Sequence, residues 1–346
     1  MRRTRLHGVC CGTEIPVPGM SVDPGHDQLG LFAVADAPVV DAAPVSPALA
    51  AVAAALPAGF RLGTSSWAFP GWAGQVWSRE YPERLLARHG LAAYAAHPLL
   101  RTVSIDRSYY APLTASQYAQ YAAQVPDSFR FVVKAPAALT APQRPSSAGG
   151  GSNPGFLDSE LAHRALVTPA QAGLASHLGL VLLQFPPLAA PWIEDIAGFA
   201  ARLERFLASL PPAFPRAVEL RNPELLHPAV FAALGNTGTL YCYTVHPRAP
   251  SIDEQHARVP AELTARGPLV VRWNLRPGER YASAKARFAP FTHLQAEDRH
   301  NRPAIVSLCR RAVAAARPAY IIANNKAEGC APATLFRLAE EIVAAR

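Results

Sequence analysis

Eight short apolar runs, rich in β-branched and aromatic residues, recur at fairly even intervals along the chain and constrain its fold more than any other feature. They are RLGTSSW from Arg61, RTVSID from Arg101, FRFVVKA from Phe129, LVLLQFP from Leu180, RAVELR from Arg216, TLYCYT from Thr239, LVVRWN from Leu269 and AYIIANN from Ala319. Each is near-continuous rather than alternating, the pattern of parallel strands covered on both faces. Segments of helical period separate most of them. The clearest spans Trp192 to Leu210, where Ile193, Ile196, Phe199, Leu203, Phe206, Leu207 and Leu210 form one apolar stripe before Pro211 and Pro212 end it. The last helix starts near Pro332 and carries Leu335, Leu338, Ile342 and Val343 on its core face. Eight strand–helix units over roughly 285 residues suit a (β/α)8 barrel better than an open doubly wound sheet or two smaller domains. The spacing therefore predicts an α/β fold, a single TIM-type barrel over 59–346.

Before it, residues 1–58 are rich in Pro, Ala, Val and Asp, with little amphipathic period, and read as a disordered tail. After the third strand, APAALTAPQRPSSAGGGSNPGF is a Gly/Ser/Pro loop. Its three glycines lack the following Lys-Ser or Lys-Thr of a phosphate cradle, so it reads as a flexible loop or lid.

Composition narrows the class. No run approaches the length of a membrane span, and the basic start lacks the apolar core of a signal peptide, so no membrane partner and a cytoplasmic location are expected. Five cysteines without a CxxC pair fit a reduced compartment. The net charge is +8, yet the only lysines are Lys134, Lys285 and Lys326. The arginine excess, together with much Ala and Pro, points to coding bias more than to a dense basic patch.

In barrels of this kind the site forms at the C-terminal ends of the strands. Here those ends carry Ser65, Ser66 and Trp67; Asp106 and Arg107; Lys134; Gln184; Glu219 and Arg221; Thr244 and His246; Arg272 and Asn274; Asn324 and Asn325. Lys134 ends an otherwise apolar strand, where a lysine needs a partner or a task. Desolvated, it serves as a base; charged, it holds a phosphate or carboxylate. A structural ion pair with Glu219 is the alternative. Glu219 and Arg221 stand two apart and so point the same way, one a proton acceptor, the other a cationic fork. Among the aromatics, Trp67 and Tyr110 are the candidates for stacking on a ligand. No metal site is expected: the groups His293, Glu297, Asp298, His300 and Asp253, Glu254, His256 read as solvated surface, and no HExxH, GxSxG or GxGxxG occurs. The residues name no cofactor.

Six motifs in order, GTSSW with Gly71-Trp72, IDRSYYAPL, FRFVVKAP, LGLVLLQFPP, AVELRNPE and YIIANNKAEGCAP, resemble the YecE-like family, domain of unknown function 72, over about Arg61 to Ala345. The resemblance implies a barrel with a polar mouth and places family positions on Trp67, Tyr110, Lys134, Gln184, Glu219, Arg221, Arg272, Asn324 and Asn325. It implies no established activity. The chain departs from the family in having Ser104 at a usually acidic position, Asp106 at an Asn position and Cys330 at an aromatic or His position.

The tail holds Gln28, Leu29, Gly30, Leu31 and Phe32. QLGLF resembles the Gln-Leu-x-Leu-Phe peptide by which bacterial replication and repair enzymes dock on the DNA sliding clamp, Leu and Phe entering an apolar pocket and Gln pairing at its edge. The leading expectation is a barrel enzyme of the hydrolase type, acting on nucleic acid or another phosphate-bearing substrate and brought there by the clamp, with Glu219 as general base. The competing readings are a small-molecule lyase, isomerase or hydrolase without nucleic acid, and a binding protein without catalysis.

Overall fold

The computed structural model describes residues 39–144 and 150–344. Strands β1 (Phe60–Thr64), β2 (Leu100–Ile105), β3 (Arg130–Lys134), β4 (Leu178–Gln184), β5 (Arg216–Glu219), β6 (Leu240–Val245), β7 (Leu269–Trp273) and β8 (Ala319–Ala323) coincide with the eight apolar runs. They pair in parallel, in chain order, and close into a barrel as β1 meets β8 from Phe60 opposite Ala319 to Thr64 opposite Ala323. Helices cover the outside, which is why the strands read as continuous apolar runs: both faces are buried.

Side chains two apart on a strand share a face. Inward, Val132, Leu180, Leu182, Ala217, Leu240, Cys242, Val270, Tyr320 and Ile322 fill the lumen as one apolar cluster. One step further along the same inward rows stand Lys134, Gln184, Glu219, Thr244, Arg272 and Asn324. The apolar lumen thus forms the floor of a polar mouth. Outward, Leu62, Val103, Val133, Leu183, Val218, Val271 and Ile321 join the main core beneath the helices.

Two local expectations change. The stripe from Trp192 to Leu210 is two helices, Ala190–Glu194 and Ile196–Ser209. Asp195 breaks it by turning its carboxylate to accept from the Gly198 N–H at 2.9 Å, a capping bond that an apolar periodicity does not register. The boundary of the tail also moves. From residue 39 the chain is placed on the barrel: Ala43 N–H donates to the Val76 carbonyl at 3.0 Å, Tyr81 donates to Asp41 at 3.0 Å, and Pro47–Ala55 is a helix whose Ser46 cap accepts from Leu49. Val40, Ala43, Ala53 and Leu56 are buried. Arg101 holds the helix end by donating to the Ala53 and Pro57 carbonyls at 2.6 and 2.9 Å. An Ala-rich helix has little apolar moment of its own, so its docking comes from the surface the barrel offers. The clamp-like residues Gln28, Leu29, Leu31 and Phe32 lie outside the described residues. No helix among the described residues is long and apolar enough to cross a membrane.

Candidate active site at the barrel mouth

The mouth encloses a cavity of about 300 Å³ walled by Asp106, Tyr109, Tyr110, Lys134, Gln184, Arg221, His246, Arg272, Asn274, Tyr281, Asn324 and Lys326, among others. Four of these are cations, Lys134, Arg221, Arg272 and Lys326. Two carboxylates answer them, Asp106 on the wall and Glu219 beneath it.

Lys134 is buried at the end of β3. Its ammonium lies 3.7 Å from the centre of the Tyr109 ring, and among the described residues no carboxylate comes within ion-pair distance of it. The direct ion pair with Glu219 that the sequence left open is therefore not formed. Burial lowers its pKa from 10.5 to about 8, Arg272 and Arg221 push the same way, and the charges of Asp106 and Glu219 work against them. Near neutral pH this amine is close enough to its pKa to give and take a proton.

Glu219 is wholly buried. One oxygen accepts from Arg221 Nε at 2.9 Å and Thr244 Oγ1 at 3.2 Å; the other is 3.9 Å from Arg272 Nε, and neither of those two atoms has a hydrogen bond. Burial alone would raise its pKa, but Arg221, Arg272 and Lys134 together bring it below the ordinary carboxylate value. Glu219 does not reach the cavity wall, so the role as general base expected from its position meets a buried, ionised group that aims Arg221 and Arg272 upward. Arg272 donates to both Asp106 oxygens at 3.4 Å and to Asn274 Oδ1 at 3.2 Å, while Ser104 donates to Asp106 at 2.6 Å. Ser104 therefore orients the acid that stands two residues on. Burial works to raise the Asp106 pKa, and Arg272, Lys134 and Ser104 outweigh it and hold it low.

Tyr110 and Tyr281 stand at the rim, 83% and 63% exposed, although both are large apolar rings. Lys326 is placed under Tyr281, its ammonium 4.2 Å from that ring centre. His246, next to Arg221, has its pKa lowered to about 4, first by burial and then by Arg221, so it lines the cavity as a neutral ring. Gln184 faces the cavity with its amide.

Two expected residues, Trp67 and Asn325, stand apart from this group, and a third, Asn324, is already engaged within it. Trp67 is buried, donates to the Leu86 carbonyl at 3.2 Å and meets Tyr121 edge-on; it borders a side recess shared with Asp106 and Tyr110 rather than the mouth itself. Asn325 faces the core, its Oδ1 accepting from Trp72 Nε1 at 3.1 Å and Ala331 N–H at 2.8 Å. Asn324 does line the mouth, but its Oδ1 is occupied by the Lys326 N–H at 3.0 Å. Conversely, Tyr109, Tyr281 and Lys326 were not singled out. Lys326 had a signal, as one of three lysines and a neighbour of the Asn pair. Tyr281 had none, because it comes from a helix well after β7. The group read as solvated surface is partly buried: Asp298 caps Asn301 and donates its N–H to Glu328. Among the described residues no three His, Cys, Asp or Glu side chains group as metal ligands.

A closed parallel barrel with a cationic, aromatic-rimmed cavity at the C-terminal ends of its strands defines a (β/α)8 barrel protein. The sequence profile described as "Protein of unknown function DUF72" matches residues 61–346, and the chain belongs to that family. It is 29% identical over 153 residues to the UPF0759 protein YunF of Bacillus subtilis, a match over 44% of this chain that spans about half (49%) of that relative. Two solved structures share the fold: a DUF72 family protein of Enterococcus faecalis (TM-score 0.53, 17% identity, 82% of this chain and 95% of that one) and one of Thermotoga maritima (0.53, 19%, 81% and 97%).

Proposed function

We propose that the mouth is an active site for a small substrate bearing a phosphate or carboxylate, with Arg221, Arg272 and Lys326 holding the anion and Lys134 moving a proton. The observation that carries this is the charge inventory, four cations around one cavity against two carboxylates. An anionic group completes it, in a site where burial strengthens each contact. Lys134 has no carboxylate within ion-pair distance among the described residues, and burial lowers its pKa to about 8. Glu219 acts as a positioning residue, and Asp106 with Asn274 fixes the Arg272 fork.

The test uses the scarcity of lysine. Glycolaldehyde phosphate is incubated with the full chain; the Lys134 amine attacks the aldehyde carbon, water leaves, and borohydride reduces the imine to a stable adduct read by peptide mass. The expected result is modification of Lys134 ahead of Lys285, suppressed by inorganic phosphate and by Arg221→Ala. Modification spread equally over the lysines and indifferent to phosphate would overturn the reading.

A finer form of the reading makes the substrate a nucleic acid and the tail its recruiter. The rim rings Tyr110 and Tyr281 suit base stacking, and QLGLF at Gln28 to Phe32 suits the sliding clamp. A peptide of residues 21–34 is expected to bind the clamp at micromolar affinity and to lose binding with Leu31→Ala plus Phe32→Ala. Equal binding by both peptides, or by neither, removes the support for recruitment and leaves the small-molecule reading.

A further inference from the structure

Next to the mouth, and sharing Tyr109 and Tyr110 with it, is a second cavity of about 670 Å³ formed by the segments that follow β2, β3 and β4. Its walls are of a different kind. Pro112, Pro136, Pro142, Pro186 and Pro187 contribute flat, rigid faces without N–H donors, and Ala137, Ala138 and Ala141 leave room between them. Arg144 is the only charged side chain on its wall among the described residues, and it is exposed. The two cavities meet at the tyrosine pair, whose rings stand at 90° with centres 5.3 Å apart. One ring, Tyr109, lies over the Lys134 ammonium; the other, Tyr110, is free at the rim.

A ligand that fills both must be anionic at one end and flat and apolar at the other. From this we infer that the substrate is a phosphomonoester or carboxylate carrying a planar aromatic body, with the anion in the mouth and the ring against Tyr110 and the proline faces. The inference rests on the anion reading of the mouth and adds the substrate class. The two cavities together have the size of small-molecule sites. A planar ring gains by stacking on the exposed tyrosine face and by packing against the flat proline rings. A simple aliphatic tail would fill the space but would leave the tyrosine face unused.

The experiment compares inorganic phosphate, glycerol phosphate, phenyl phosphate and 1-naphthyl phosphate by calorimetric titration of the full chain. Affinity is expected to rise about tenfold from inorganic to phenyl phosphate and again to naphthyl phosphate, with glycerol phosphate close to inorganic phosphate. Two variants locate the gain. Ala138→Trp fills the groove from an exposed helix position, and Tyr110→Ala removes an exposed ring, so at least one leaves the fold intact. Each is expected to collapse the naphthyl-to-inorganic affinity ratio toward one. If inorganic phosphate binds but the aryl esters bind no tighter, or the ratio survives both variants, the groove is not the ring site and the inference fails while the mouth reading stands. If none of the phosphates binds, the mouth reading fails and this inference with it.

Discussion

The mouth is expensive at the level of single side chains. Lys134 keeps its proton less readily in the folded state, its pKa lowered to about 8 from 10.5 mainly by burial. Between pH 8 and 10.5 the unfolded chain therefore holds more protons than the folded one, and stability rises with pH across that window. Below pH 8 the full cost of the buried ammonium is present. Lys134→Met should accordingly stabilise the protein at pH 7, by on the order of 2 kcal/mol, with the advantage gone near pH 10.5. Urea denaturation at the two pH values measures it, and a destabilised variant at pH 7 would contradict the desolvation argument. Glu219 behaves oppositely. Removing its charge leaves Arg221 and Arg272 without their buried counter-ion. Glu219→Gln should cost about 3–5 kcal/mol in the same assay.

Elements place these side chains by simple rules. The inward row of each strand supplies an apolar floor and then one polar group, so β3 delivers Lys134, β5 Glu219 and β7 Arg272 to one level. β1 sits close to β2 through Gly63, where any Cβ would lie 2.1 Å from the Thr102 carbonyl oxygen. Gly63→Ala must push the strands apart at the entrance to the mouth, and a loss of more than about 2 kcal/mol in thermal or urea unfolding is expected. The helix Pro47–Ala55 is held differently, by docking. Deleting residues 1–58 removes the buried Val40, Ala43, Ala53 and Leu56 and strands the Arg101 donors; deleting residues 1–38 does not. The longer deletion should lower Tm by several degrees relative to the shorter, equivalent to about 2–4 kcal/mol of apolar burial. Equal Tm values would mean that the helix adds nothing to the barrel.

Across the whole molecule, acid is the condition that exposes the design. His97 stacks on Phe336 at 4.5 Å beneath the barrel, and burial lowers its pKa to about 4 from 6.5. As pH falls from 6.5 toward 4 the unfolded chain takes up a proton that the folded chain refuses, so stability falls through that window. The buried ring contributes on the order of 2–3 kcal/mol of that loss. His246 shifts in the same direction, with less weight because it is half exposed. His97→Asn, which keeps an acceptor for the Leu99 N–H, should flatten the decline between pH 6.5 and 4.5 in chemical denaturation. An unchanged slope would assign the acid sensitivity elsewhere.

The sequence by itself determined the eight strands, their parallel closure and the level at which polar groups emerge, because these follow from local apolar runs and the two-residue period of a strand. Lys134, Gln184, Arg221, Arg272, Asp106 and Tyr110, read from the strand ends, line one cavity at that level. Tertiary structure alone decided which of those groups face a ligand. Asn324 and Asn325 are neighbours, yet the alternation at the strand end turns one to the cavity and the other to Trp72. Trp67 stands at the same height as Lys134, but its indole N–H is drawn to a helix carbonyl. Glu219 looked like a base until two arginines closed over it, and Tyr281 and Lys326 joined the site from segments far apart in the chain. Charge and contact across a barrel depend on distances that residue spacing does not encode, and there the tertiary fold alone chose among side chains.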